Sequence, residues 1–125
     1  TTSALNYSNV YQLSDDDIRQ EYINCDIVSF PSKYEGFGMP IIEGQKTGRV
    51  VLTSSIEPLI EVAGNAVHFV DPEDTQSLRL GYLKLIEDAT YREDLIRRGM
   101  KNTERFNVQY ITRQYLKVYQ DILDS

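Results

Sequence analysis

Two carboxylates, Glu35 and Glu43, stand eight positions apart in the stretch EGFGMPIIE, with two glycines, an aromatic residue and a proline between them. A carboxylate can accept two hydrogen bonds from a vicinal diol, and a glycine-rich turn that runs into a helix offers backbone N–H groups to an anion. Together they fit a phosphorylated sugar. The first amides of a helix have no partner inside it, and they point with the positive end of the dipole toward whatever binds there. Gly36 and Gly38 let the backbone take positive φ and approach a ligand closely. Pro40 is placed to be the first residue of the helix, which puts Glu43 in its first turns and Glu35 before the turn. One carboxylate would then read a ribose and the other a sugar beyond the phosphates. The same residues also fit an ordinary Gly-Pro helix start carrying two surface glutamates.

Positioning such a loop requires a strand before it and a helix after it. The apolar run Ile27-Val28-Ser29-Phe30 reads as a buried strand, and the helix opened by Pro40 ends near Gly48. Val50 to Thr53 reads as the next strand, Pro58 begins a short helix that stops by Gly64, and Ala66 to Val70 reads as a third strand. Upstream, Val10 to Leu13 has a faint strand pattern, and Ser14 followed by Asp15, Asp16 and Asp17 is a helix start with a capping hydroxyl and acids in the first turn. That role accounts for the acidic triplet, whose side chains would fan around the helix axis and make a poor metal site. Downstream, a helix starts near Asp74, and Thr90-Tyr91-Arg92-Glu93 has the form of a capping box. Leu78, Leu85, Leu95 and Ile96 supply apolar faces there, and Ile111, Tyr115, Val118, Tyr119 and Ile122 recur at helical spacing within Val108 to Leu123. Strands alternating with helices predict an α/β fold, a parallel sheet covered by helices.

Hydroxyls follow the second strand at Ser54 and Ser55. They suit a phosphate or ribose contact, and equally turn chemistry in which a hydroxyl bonds nearby backbone. His68, alone in AVHFV, has no serine or cysteine partner at a recognisable spacing and reads as structural. Cys25 reads as a small apolar residue at the entrance to the first strand; as the chain's single cysteine it makes no internal disulfide. With 125 residues the chain can bury one core. A net charge of −6 argues against nucleic acid, and no apolar stretch nears the roughly 20 residues that span a bilayer.

From Val10 to Tyr119 the chain resembles family four of the retaining GT-B glycosyltransferases. The likeness is carried by Phe30-Pro31-Ser32, by Tyr34 through Glu43, and by Gly48, Val50 to Ser54, Glu61-Val62, Gly64 and Val70-Asp71-Pro72 in that order. Val50 stands where proline is common, and Gly44 where alanine is. The resemblance implies a Rossmann-like parallel sheet flanked by helices, with residues 1–125 forming the later part of a C-terminal nucleotide-sugar-binding domain. It implies that Glu35, the catalytic-site glutamate, contacts hydroxyls of the donor sugar, that Glu43 holds the ribose, and that the loop Gly36, Phe37, Gly38, Met39 and Ile41 meets the sugar and diphosphate through backbone amides. It further implies an N-terminal domain and an upstream Arg/Lys pair outside this chain, an inactive isolated fragment, and a glycan or lipid-linked acceptor. The nucleotide sugar is then a substrate, and no cofactor or metal is called for. The expected location is the cytoplasm, at a membrane face through other parts of the protein. Two other classes fit less of the sequence: a nonenzymatic nucleotide-binding or interaction module, and a retaining glycosidase, whose carboxylates face each other about 5 Å apart across a sugar.

Overall fold

A computed structural model of the chain describes residues 8–106 and 108–124. The first element is α1 (Asp15–Asn24), and Ser14 caps it as its sequence predicts. The Ser14 hydroxyl accepts the Asp17 amide at 3.1 Å, while the Asp17 carboxylate accepts the Ser14 amide at 3.3 Å. At the other end of α1, Arg49 donates to the carbonyls of Tyr22 and Ile23 at 3.1 and 2.5 Å. These bonds pin the helix to the start of the second strand.

Three strands, β1 (Ile27–Phe30), β2 (Val50–Ser54) and β3 (His68–Val70), form a parallel sheet with β2 in the centre. Val28 pairs with Val51 and Thr53 with Phe69. Every residue of β2 is buried, which is why it reads as a continuous apolar run and not as an alternating one. The helices α2 (Met39–Lys46) and α3 (Leu59–Ala63) share one core with the sheet, built from Val28, Ile41, Val51, Leu59 and Val62. On the other face Val50, Leu52 and Val70 pack with Leu85 of α4 (Thr75–Glu87) and Leu95 of α5 (Ala89–Thr103). A turn at Glu104–Phe106 leads into α6 (Val108–Asp124).

Gly44 has a packing role. A Cβ there would lie 3.0 Å from methyls of both Val28 and Val51, so its absence lets α2 press closely against the sheet. The alanine common in the resembling family would crowd these valines.

Several boundaries differ from the sequence reading. Val10 to Leu13 is irregular and joins no sheet among the described residues. Met39, not Pro40, opens α2, because Gly38 in the left-handed region serves as the cap one position earlier. The third strand begins at His68; Ala66 is buried but its amide bonds to the Ala63 carbonyl in a turn. Asp88, not Thr90, caps α5, accepting the Tyr91 amide at 3.0 Å. The side chains of Ile111 and Tyr115 in the predicted stripe lie outside the described residues, while Val118, Tyr119 and Ile122 are exposed. Among the described residues no helix is long and apolar enough to cross a membrane.

Candidate functional site

Parallel strands put all their carboxyl ends on one edge, and the loops leaving that edge are 31–38, 55–58 and 71–74. The first of these is the glycine-rich loop. The Phe30 carbonyl at the end of β1 accepts both the Thr53 hydroxyl at 2.8 Å and the Ser32 amide at 3.0 Å, which turns the chain away from the sheet. Ser32 then donates to the Tyr34 carbonyl at 2.8 Å and to the Glu35 carboxylate at 3.3 Å. The loop closes at Gly38, with φ 87° and ψ 47°. A Cβ at Gly38 would also stand 2.6 Å from Leu59 Cδ2, so only glycine satisfies both the backbone and the space. Gly36, by contrast, is not in the left-handed region, and nothing lies within 4 Å of where its Cβ would be.

The amides of Phe37, Gly38 and Met39 donate to no acceptor among the described residues. The Ile41 amide, expected from the sequence to reach a ligand, is bonded to the Gly38 carbonyl at 3.0 Å. Ile41 itself is fully buried beneath the loop. The edge thus presents the exposed residues Phe37 and Met39, with unbonded backbone donors, at the positive end of α2, and Gly38 is buried between them.

The two glutamates occupy different surroundings and share no partner. Glu35 is exposed beside Ser32 on the loop. Glu43 is half-buried in a groove of about 610 Å³ between α1 and α2, together with Asp15, Ile18, Arg19, Tyr22 and Lys46. Burial, and then the neighbouring Glu43 carboxylate, pushes the Tyr22 phenol above its ordinary range. Tyr22 and Glu43 thus face the same groove, the phenol neutral beside the carboxylate. Sequence reasoning missed Tyr22, because the two positions lie on separate helices that are brought together by Arg49's hold on α1 and by the packing of Tyr22 and Cys25 against the core.

Ser54 and Ser55 separate at the end of β2. Ser54 is fully buried and its hydroxyl has no hydrogen-bond partner, while Ser55 is exposed and donates to the Val70 carbonyl at 3.3 Å. Asp71 and Asp74 shape the third loop: they accept the amides of Glu73 and Gln76 at 3.0 and 2.9 Å. His68 sits at the opposite end of its strand and pairs through Nδ1 with the Tyr91 hydroxyl at 2.8 Å. Cys25 is half-buried against the first core and donates to the Tyr22 carbonyl. Among the described residues no group of three or more metal-ligating side chains is assembled.

A glycine-capped helix at the carboxyl edge of a parallel sheet, flanked by two glutamates, can be compared with known families. Residues 8–102 match the family described as glycosyl transferases group 1. The chain belongs to that family. Among its curated relatives is O-antigen chain mannosyltransferase B of Escherichia coli, 32% identical over 105 residues that make up 84% of this chain and 28% of the relative. Another is a diphospho-undecaprenol N-acetylgalactosaminyltransferase of Campylobacter jejuni, 27% identical and covering 87% of this chain and 30% of the relative. This group 1 chain therefore spans under a third of the length of these relatives.

Solved structures share the fold. Anabaena HepE, in complex with UDP and glucose, superposes with a TM-score of 0.75 at 25% identity, covering 84% of this chain and 30% of that one. The C-terminal domain of a group 1 glycosyltransferase from Francisella tularensis gives 0.71 at 22% identity, covering 80% and 53%. The Rossmann-like α/β class expected from the sequence, a parallel sheet flanked by helices, is thus the fold of GT-B glycosyltransferases.

Proposed function

We propose that the protein to which this chain belongs transfers a sugar from a nucleotide-sugar donor to a glycan or lipid-linked acceptor, with retention at the anomeric carbon. In this reading the chain is the later portion of the C-terminal donor-binding domain. The observation that carries it is the left-handed Gly38 at the start of α2, where the amides of residues 37–39 have no acceptor among the described residues, at the carboxyl edge of the sheet beside Glu35. The likeness to a protein holding UDP and glucose, and to transferases of polysaccharide sugars, supports the same reading.

The amides of Phe37, Gly38 and Met39 would receive the diphosphate, and Glu35 the hydroxyls of the donor sugar. Glu43, in the groove beside Tyr22, would take the ribose diol. Ser55, exposed on the next loop, offers a hydroxyl to phosphate or ribose. The three edge loops carry Lys33 against Glu35, Glu57, Asp71, Glu73 and Asp74, so the diphosphate's counter-charge comes from a basic pair elsewhere in the protein. Both glutamates position the donor, and the departing phosphate accepts the proton of the attacking hydroxyl. Orientation of this kind can remove several kcal/mol of barrier, on the order of 7 or more in well-aligned cases. Neither a metal nor a separate cofactor has a step in the scheme. The work takes place in the cytoplasm, at a membrane face reached through other parts of the protein.

The test uses the full-length protein, calorimetric titration with UDP-glucose and other nucleotide sugars, and turnover. Glu43→Ala should weaken donor binding by about 1.5–3 kcal/mol, the worth of hydrogen bonds to a charged group. Glu35→Ala should lose more turnover than affinity. A wild-type protein that binds no nucleotide sugar, or variants that match it in both measurements, would refute the assignment.

A further inference from the structure

The turn at Glu104–Phe106 touches the donor loop by two routes. The first is direct: the Phe37 ring meets Phe106 edge-to-face, with centroids 5.8 Å apart and planes at 84°. The Arg105 guanidinium lies over the Phe106 ring, 4.6 Å from its centroid, and fixes the ring from the other side.

The second route runs through α3. Arg105 donates to the carbonyls of Glu61 and Val62 at 2.8 and 3.3 Å and to Asn102 Oδ1 at 2.8 Å. Asn102, itself buried, donates to Val62 O at 2.9 Å and to Gln45 Oε1 at 2.8 Å, and Gln45 donates to Ala63 O at 3.1 Å. Three side chains from α2, α5 and the turn thus satisfy the last three carbonyls of α3. With five residues, α3 is too short to hold itself, so its position is set by its ends. Its first residue, Leu59, is fully buried, with Cδ2 filling the space where a Cβ on Gly38 would stand. Whatever moves α3 therefore moves Gly38.

Resting on the donor-loop reading above, we infer that the Glu104–Phe106 turn positions that loop, Phe106 by holding Phe37 and Arg105 by holding α3 against Gly38. They are positioning residues: neither need touch the donor. Their reach covers the amides at Phe37, Gly38 and Met39, where a displacement of about 1 Å is enough to impair an oriented site. The link also makes the junction between α5 and α6 a place from which the loop can be adjusted.

The experiment compares Arg105→Ala and Phe106→Leu with Leu85→Ala, a control that opens a cavity on the opposite face of the sheet, all in the full-length protein below its melting temperature. Amide hydrogen exchange at Ile41, whose amide bonds to the Gly38 carbonyl at 3.0 Å, needs no ligand; it should quicken in the first two variants and stay at the wild-type rate in the control. The donor KM should rise roughly tenfold in both, with acceptor KM and kcat within about twofold, the usual range of coupling through packed contacts. Arg105→Lys, which keeps the charge and reaches one carbonyl, should restore part of the donor KM. Arg105 is exposed, so its variants remain testable if Phe106→Leu fails to fold. Exchange that is unchanged at Ile41, or that quickens equally in Leu85→Ala, overturns the inference. If the wild-type protein uses no nucleotide sugar, the proposed function fails while the exchange data still decide this point.

Discussion

Gly64→Ala should be among the costliest single methyl additions in this chain, and its cost can be worked from two distances. Gly64 caps α3 with φ 61° and ψ 36°, and a Cβ there would stand 2.1 Å from Asn102 Oδ1 and 2.7 Å from Asn102 Cγ. The left-handed backbone alone costs alanine about 1–2 kcal/mol. Asn102 must also swing away, losing its bonds to Gln45 Oε1 and Val62 O and its link to Arg105, together about 2–3 kcal/mol at roughly 1 kcal/mol each. The sum is about 3–5 kcal/mol, a large fraction of the ~5–15 kcal/mol that holds a domain folded. Asn102→Ala alone should cost about 2–3 kcal/mol. In the double variant the clash has no target, so the added methyl contributes only its backbone term and the total stays at about 3–5 kcal/mol. Urea titration followed by far-UV circular dichroism, fitted with a common slope of about 1.5 kcal/mol/M, should place both Gly64→Ala and the double variant about 2–3 M below wild type. Additive losses, with the double variant well below either single one, would refute the claim that Asn102 is what the methyl strikes.

Three further outcomes follow from the same coordinates. Gly38→Ala places a methyl 2.6 Å from Leu59 Cδ2 at a φ of 87°, and should cost about 2–4 kcal/mol by urea titration. Arg49→Ala removes two bonds to the last carbonyls of α1; it should lower Tm by several degrees and weaken donor binding with Glu43 intact, both readable by thermal shift with and without UDP-glucose. Burial, and then the charge of Lys84, holds His68 below the ordinary histidine value of 6.5. The unfolded chain then binds the proton more tightly, so stability is full above pH 6.5 and declines as pH falls through the folded value. His68→Asn should flatten that decline in chemical denaturation measured across the acid range, and an unchanged slope would assign the decline to other groups.

How much of this was readable in the sequence depended on whether the deciding contact was local. The strand at Val50–Ser54 was legible because both its faces are covered, which writes a near-continuous apolar run, and Ile27–Phe30 because apolar residues surround its exposed Ser29. The reciprocal cap of Ser14 and Asp17 was legible because its partners are three residues apart. The start of α5 was misread where two local signals competed: Asp88 ends α4, accepts Lys84 as an ion pair and caps the next helix, leaving Thr90 inside it. The loop's composition marked a candidate site, and the amides of Phe37, Gly38 and Met39 have no acceptor among the described residues. The amide of Ile41 did not follow, since the left-handed Gly38 carbonyl captures it. Tyr22 beside Glu43, Phe106 against Phe37 and Asn102 on Gln45 join positions far apart in the chain, and no spacing rule reaches them.

Those distant contacts explain why a loop with so little side-chain chemistry can hold a defined shape. Tyr34, Phe37 and Met39 are 90%, 42% and 52% exposed, so the donor loop gains little from burying its own residues. Its geometry is imposed from below by Leu59 at Gly38 and from the side by Phe106 at Phe37. Backbone amides held this way are oriented before a ligand arrives, which is where a site of neutral donors gains its strength. The glutamates on either side then need only accept hydroxyls, and the acidic edge around them makes a bare anion a poor ligand. Under the proposed function, a diphosphate carrying a ribose and a sugar would meet the amides and both carboxylates, with cations from the rest of the protein offsetting its charge. On that proposal, selectivity for a whole nucleotide sugar over free phosphate would follow from how the charges are divided between this chain and the rest of the protein.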